Sequence, residues 1–246
     1  MRIIISPAKK MKMDEDTLPY NQLPQFVEHS KVLLQYLKGL NYETMKGIWK
    51  CNETIADRNF NRIKDMNLHK NLTPALLAYE GIQYKYMAPS VFVTEEFAYI
   101  EEHLRILSGF YGMLRPFDGV VPYRLEMQAR LGSKDLDSLY SFWEKKMAEQ
   151  LFLESNCIIN LASKEYSKCI SSYLNKNIRF ITCVFGEMIN DKVVEKGTKV
   201  KMARGEMVRY MAEKQIIYPE ELKTFDRLNY AFSELLSNDS TYVFIC

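Results

Sequence analysis

Five short segments of this sequence carry the residue types that could do chemistry. The first is Ser6-Pro7-Ala8-Lys9-Lys10, a hydroxyl and two ammonium groups placed directly after the apolar run Arg2–Ser6. In open α/β sheets, ligands gather beyond the carboxyl ends of strands, so this set suits a phosphate oxygen. Residues 1–12 contain Arg2, Lys9, Lys10 and Lys12 and no acid, a local charge of +4. The second is Leu107-Ser108-Gly109-Phe110-Tyr111-Gly112-Met113-Leu114-Arg115-Pro116. Its outline is that of a helix-hairpin-helix element, in which Gly109 and Gly112 free backbone N–H groups for a phosphate and Arg115 follows. The spacing is Gly-x-x-Gly rather than the usual Gly-x-Gly, and a plain tight turn fits it equally.

Pro122-Tyr123-Arg124-Leu125-Glu126-Met127 comes next. Arg124 and Glu126 share a face if the piece is extended. Two readings stay open: a structural salt bridge, or an Arg holding phosphate beside a carboxylate available for acid/base work. Asn160-Leu161-Ala162-Ser163-Lys164-Glu165-Tyr166 repeats the pattern of polar groups at a strand end. If its strand runs parallel to the first, Ser6 and Ser163 share a rim. The fifth segment is Lys199 to Tyr210. On a helix, Lys201, Arg204 and Arg209 fall within an arc of about 140°. Residues 199–214 hold five cations against Glu206 and Glu213, a net +3, which is a face a phosphate backbone would meet.

Four runs read as the strands that position these groups: Arg2–Ser6, Cys157–Ala162, Ile178–Phe185 and Thr241–Cys246, the last as an outer member of the sheet. Helical periodicity marks Gln25–Lys38, Thr94–Leu107 (with Thr-Glu-Glu as its cap), Asp135–Phe152 and Lys201–Gln215. Lys9–Pro24 reads as a loop with Asp14, Glu15 and Asp16 facing solvent. No repeat or linker divides the chain, so residues 1–246 are expected to form a single compact α/β (mixed α+β) domain, a small mixed sheet surrounded by helices.

Composition excludes several classes. The 246 residues carry 33 Lys+Arg and 31 Asp+Glu, and 47% are hydrophobic, so the chain has the apolar content to collapse around a core. No window approaches the roughly 18 apolar residues of a membrane helix, and the N-terminus is no signal peptide, so a cytoplasmic protein with no membrane partner is expected. The five cysteines are odd in number and widely spaced; they read as reduced thiols, with Cys157 and Cys183 in the core. His29, His69 and His103 are scattered, and the reading calls for no metal and no cofactor.

Taken together, IIISPAK at 3–9, HLRILSGFYGMLRPFD at 103–118, PYRLEM at 122–127, INLASKEY at 159–166 and KMARGEMVRY at 201–210 closely resemble the YaaA-like family, also described as DUF328 or UPF0246. The resemblance runs nearly end to end and in family order. It implies a cytosolic bacterial protein of peroxide stress that limits the joint damage of free iron and peroxide. It also implies DNA binding and a single-domain α/β fold with a helix-hairpin-helix element. Two positions depart from the family's usual pattern: Lys10 stands where Thr is common, and Met202 where Lys is common.

The expected function is therefore binding of double-stranded or branched DNA, by backbone or shape, with no obligate protein partner. Its cleft would be formed by Lys9, Lys10, Arg115, Arg124, Lys164, Lys201, Arg204 and Arg209, supported by Ser6, Gly109, Gly112, Tyr123, Asn160, Ser163 and Tyr166. The alternative is an enzyme acting on a nucleobase, nucleotide or nucleic-acid sugar in the same cleft. There Glu126 is the candidate acid/base, and Tyr123, Asn160, Ser163 and Tyr166 orient the substrate. A third class, iron sequestration or peroxidase chemistry, would rest on Cys51 beside Lys50.

Overall fold

The structure is a computed structural model that describes residues 1–246 apart from residue 15 and residues 133–135. The expected solvent-facing Glu15 and the start of the helix expected at Asp135 lie outside the described residues. Three isoleucines, Ile3, Ile4 and Ile5, are fully buried in strand β1 (Arg2–Ile5), because both of its faces are covered. β1 pairs in parallel on one side with β2 (Leu104–Ser108) and on the other with β4 (Cys157–Leu161). β4 in turn pairs in parallel with β5 (Arg179–Ile189), and β5 with β8 (Thr241–Ile245). Antiparallel pieces close the edges: β3 (Gly112–Leu114) on β2, β7 (Ala231–Phe232) on β8, and β6 (Lys192–Val194) on β5. The sheet is thus mixed, as expected; its centre is parallel, and the carboxyl ends of β1, β2 and β4 meet on one rim. β8 lies one strand in from the edge, because β7 covers it.

Helices surround this sheet: α1 (Val27–Lys38), α2 (Tyr42–Trp49), α3 (Glu53–Asp65), α4 (Ile82–Met87), α5 (Thr94–His103), α6 (Leu139–Trp143), α7 (Lys146–Glu154), α8 (Lys164–Ser171) and α9 (Gly197–Lys214). Side-chain caps start three of them: Asn41 accepts from the Thr44 N–H, Asn52 from the Ile55 N–H and Ser138 from the Ser141 N–H. The start of α5 is different from the expected one. Thr94 is its first helical residue, and the Glu96 carboxylate accepts from the Val93 N–H at 2.9 Å.

The helix expected over Thr94–Leu107 stops at His103, and Leu104–Ser108 is strand. Phe97, Ile100, Leu104 and Leu107 fit a helical stripe, but a strand there satisfies the open edge of β1 and buries Leu104, Ile106 and Leu107 completely. The same change removes the helix-hairpin-helix. Ser108–Gly112 turns a β-hairpin between β2 and β3, with Ile106 opposite Leu114. Gly112 sits there at φ +76°, and a Cβ on it would lie 2.8 Å from the Trp143 ring, so the glycine serves the turn and the packing. The loop from Lys9 to Pro24 is interrupted by Lys10–Met11, which pairs antiparallel with Tyr79–Glu80. Asp14 folds back onto Lys12 at 2.6 Å instead of facing solvent.

Asp118, at the end of the hairpin, is 1% exposed, accepts from the Arg115 N–H and the Gln22 side chain, and is pushed up by burial to about 6. A carboxyl raised in the folded state favours folding below its unfolded value near 4, and that contribution is lost as pH rises through about 6. Wild-type stability relative to Asp118→Asn is therefore expected to fall by about 2–3 kcal/mol between pH 4 and pH 7, read from urea midpoints at the two pH values.

Candidate functional site

At the rim, the parallel pairing of β1 with β4 brings Ile5 level with Leu161, and the residues just beyond them meet. The Ser6 hydroxyl donates to the Ser163 hydroxyl at 3.2 Å and accepts the Ser163 N–H at 2.8 Å. This is the shared rim expected from the sequence. One layer beneath, the Ser108 and Tyr123 hydroxyls lie 2.6 Å apart, and the Tyr79 and Tyr123 hydroxyls 2.9 Å apart. Burial raises all these phenols, Tyr123 to about 12, so they remain neutral hydrogen-bonding groups.

A cavity of 540 Å³ opens on this rim. Ser6, Lys9, Lys10, Tyr123, Arg124, Glu126, Ser163, Tyr166, Lys201 and Arg204, ten of the residues singled out from the sequence, line it. Each arrives by a local cause. Lys10 is delivered by the short pairing of Lys10–Met11 with Tyr79–Glu80, where its ammonium meets Glu80 at 3.0 Å. Lys201 and Arg204 project from α9, which lies hard against α4. A Cβ at Gly205 would fall 2.1 Å from the Gln83 carbonyl oxygen, so only glycine permits that approach. A second cavity of 740 Å³, lined among others by Trp49, Lys50, Arg130 and Asp137, shares Lys9 and Glu126 with the first. The two form one trough with seven cationic residues against four carboxylates.

The pairing inside the trough is uneven. Glu126 is held by Lys9 at 2.8 Å and Arg124 at 3.4 Å, one carboxylate between two cations. The Arg124–Glu126 pair is bridged, as the structural reading has it, and both residues also line a cavity. Glu165, which the sequence analysis passed over, is raised by burial while accepting from the Gln128 N–H at 3.2 Å. Arg204 stands apart. Its side chain is 14% exposed, its nearest carboxylate, Glu195, is 3.8 Å away, and burial depresses its basicity. Three buried side-chain nitrogens among the described residues find no hydrogen-bond acceptor: Gln83 Nε2, Arg124 Nε and Arg204 Nε. All three residues line the 540 Å³ cavity. An unmade buried hydrogen bond costs about 1–3 kcal/mol, so the protein concentrates a polar deficit around one space.

The remaining expected site residues lie elsewhere. Arg115 donates to the Gln22 side chain at 3.2 Å and lines neither cavity. Arg209 is paired with Glu213 at 2.7 Å, and Arg227 joins Glu206 and Glu213 on the same stretch of α9, so that half of the helix is neutralised. Lys164 is exposed in the first turn of α8, outside both linings. Asn160 ties β4 to β5, donating to Thr182 at 3.2 Å and accepting the Ala162 N–H. Gly109 gives its carbonyl to the Trp143 indole, and neither it nor Gly112 reaches the trough. Gln83, Glu80 and Tyr84 were missed. Their signal was the polar and aromatic run Tyr79-Glu80-Gly81-Ile82-Gln83-Tyr84, which has no strand or helix periodicity to explain its polarity.

Cys169 and Cys183 are buried, with thiols pushed up to about 12, which makes them poor nucleophiles. Among the described residues no three His, Cys, Asp or Glu side chains form a group that would hold a metal ion, and no helix is long and apolar enough to cross a membrane.

Comparison with known proteins agrees with the motif order. The family described as Peroxide stress protein YaaA matches residues 1–236. A UPF0246 protein of Lachnoclostridium phytofermentans is 55% identical over 245 residues, covering 100% of this chain and 96% of the relative. One of Agathobacter rectalis is 53% identical over 244 residues, covering 99% and 98%. One of Desulfitobacterium hafniense is 53% identical over 245 residues, covering 100% and 98%.

Proposed function

The chain belongs to the peroxide stress protein YaaA family, and from that premise we propose that it acts in the cytoplasm as one domain that binds DNA along the trough. The observation that carries this reading is the convergence of seven cationic residues against four carboxylates on two cavities with a common wall. In a chain whose net charge is only +2, such a surplus marks an anion-attracting surface. Lys9, Lys10, Lys50, Arg130 and Lys201 edge the trough, where a phosphate backbone would pass. Lysines on flexible stems at that edge suit phosphate oxygens better than base edges, so recognition is of backbone and shape.

Neutralising about five phosphates releases counterions, and log affinity should fall with log salt at a slope of about −4 to −5. Fluorescence anisotropy of a labelled duplex and a four-way junction between 50 and 300 mM salt, roughly the range over which such slopes are resolved, measures it. The double variant Lys9→Ala/Lys201→Ala is expected to make that slope shallower by about 2. A salt-independent affinity, or no affinity for either DNA, would overturn the reading.

A further inference from the structure

A duplex is too wide to enter a recess of 540 Å³, yet among the described residues the buried side-chain nitrogens without an acceptor all belong to residues lining that recess and not to the open edge of the trough. Its volume lies within the range of about 300–1,000 Å³ typical of small-molecule sites. The deficit also has a chemical direction. Arg204 is a desolvated guanidinium without a carboxylate in hydrogen-bonding range, and Arg124 shares its only carboxylate with Lys9. Gln83 adds an amide nitrogen with no acceptor. A buried cation left in this condition is stabilised by an anion that brings its own oxygens. Two guanidinium forks and an amide match the several oxygens of a phosphate monoester better than a single lone pair. Beside them Ile82, Leu125 and Tyr166 offer an apolar wall for the body attached to that phosphate.

We propose that this cavity accepts one nucleoside monophosphate unit, its phosphate held by Arg204, Arg124 and Gln83 and its sugar and base against the apolar wall. The inference rests on the nucleic-acid reading of the same trough and names the unit that enters it. The same phosphomonoester chemistry is offered by a free nucleotide and by the 5′-phosphorylated end of a DNA strand. The edge lysines then hold the backbone, while the buried arginines hold a single terminal or free phosphate.

The test is calorimetric titration of the full chain with each deoxynucleoside monophosphate, the parent nucleosides, inorganic phosphate, and one single-stranded oligonucleotide with and without a 5′-phosphate. The expected result is saturable binding of a monophosphate, at least tenfold weaker for nucleoside and inorganic phosphate alone. Arg204→Met and Gln83→Met should each weaken it, the first at least tenfold. Should Arg204→Met fail to fold, Arg204→Lys keeps the charge but loses the fork, and the same tenfold loss is expected. A 5′-phosphorylated strand binding much more tightly than the free nucleotide identifies the strand end as the source. Equal affinities identify the free nucleotide, and both results support the proposal. No monophosphate or 5′-phosphate binding by the wild-type protein, or binding indifferent to Arg204, overturns it. The duplex titration on wild type separates the two ideas. Duplex binding without nucleotide binding sinks this inference alone, whereas nucleotide binding without duplex binding sinks only the DNA reading.

Discussion

Gly205→Ala is expected to destabilise the protein by about 2–3 kcal/mol and to lower its melting temperature by about 5–10 °C, although alanine is the better helix former. On an unencumbered helix the change would gain up to about 1 kcal/mol. At position 205 the added methyl would lie 2.1 Å from the Gln83 carbonyl oxygen and 2.9 Å from the Met87 nitrogen, both backbone atoms that no side-chain rotation can move aside. The two helices must separate, and α4 and α9 are the elements that carry Gln83, Lys201 and Arg204 into the cavity. Binding should therefore weaken together with stability. Gly47→Ala supplies the control. Gly47 lies inside α2 with nothing within 4 Å of its would-be Cβ, so this variant should be slightly more stable than wild type. Thermal melts of the two alanine variants decide the matter: equal shifts would show that α4 and α9 do not depend on the glycine contact.

The second large effect belongs to Arg105, the second residue of β2, 4% exposed. Its guanidinium reaches Glu154 at 2.6 and 2.7 Å, and Arg2 shares that carboxylate at 3.1 Å. Burial by itself would raise the Glu154 carboxyl, but the Arg105 charge and the Arg105 and Arg2 hydrogen bonds hold it below the usual range. Removing one member of a buried pair strands the other, and Arg105→Met is expected to cost about 3–5 kcal/mol in urea unfolding at pH 7. The double variant Arg105→Met/Glu154→Leu should recover most of that loss, because Arg2 keeps Glu102 at 2.7 Å and no buried charge is left alone. Glu154 is depressed in the folded state, so its stabilising contribution is present above the unfolded carboxylate range and disappears as pH falls below it. The penalty of Arg105→Met should shrink accordingly on acidification. A single-variant cost below about 1 kcal/mol, or a double variant worse than the single, would show that the pair is not what joins β2 to α7.

Much of the rim was legible along the chain. Continuous isoleucine in β1 and the apolar core of β4 announce strands covered on both faces, and a polar group after each announces a rim. Local spacing was less reliable where one segment satisfied two periodicities. Leu104 and Leu107 continue the stripe of α5 as well as they fill β2, and only the open edge of β1, a hundred residues away, selects the strand. The glycines at 109 and 112 follow from that choice. Once the segment is a β-hairpin, they meet Trp143 rather than a phosphate. Arg209 shows the same limitation on α9. Helical spacing alone puts it within one arc with Lys201 and Arg204, but its neutralisation by Glu213, with Arg227 arriving from a later segment, depends on the folded chain.

By itself the amino-acid sequence determined the family, a mixed α/β architecture and the identity of several cations at the strand ends. These are properties of motif order, hydrophobic periodicity and residue type, all of which are local. Which cations face a common space, which are silenced by an acid, and which are buried without a partner were decided only by the tertiary structure. Charge interaction depends on distance and on exclusion of water, and both are set by how closely elements such as α4 and α9 pack. Arg204 and Arg209 are five residues apart on one helix. The first lines the cavity without a hydrogen-bonding acid, and the second is bound to its neighbour on the surface of the fold.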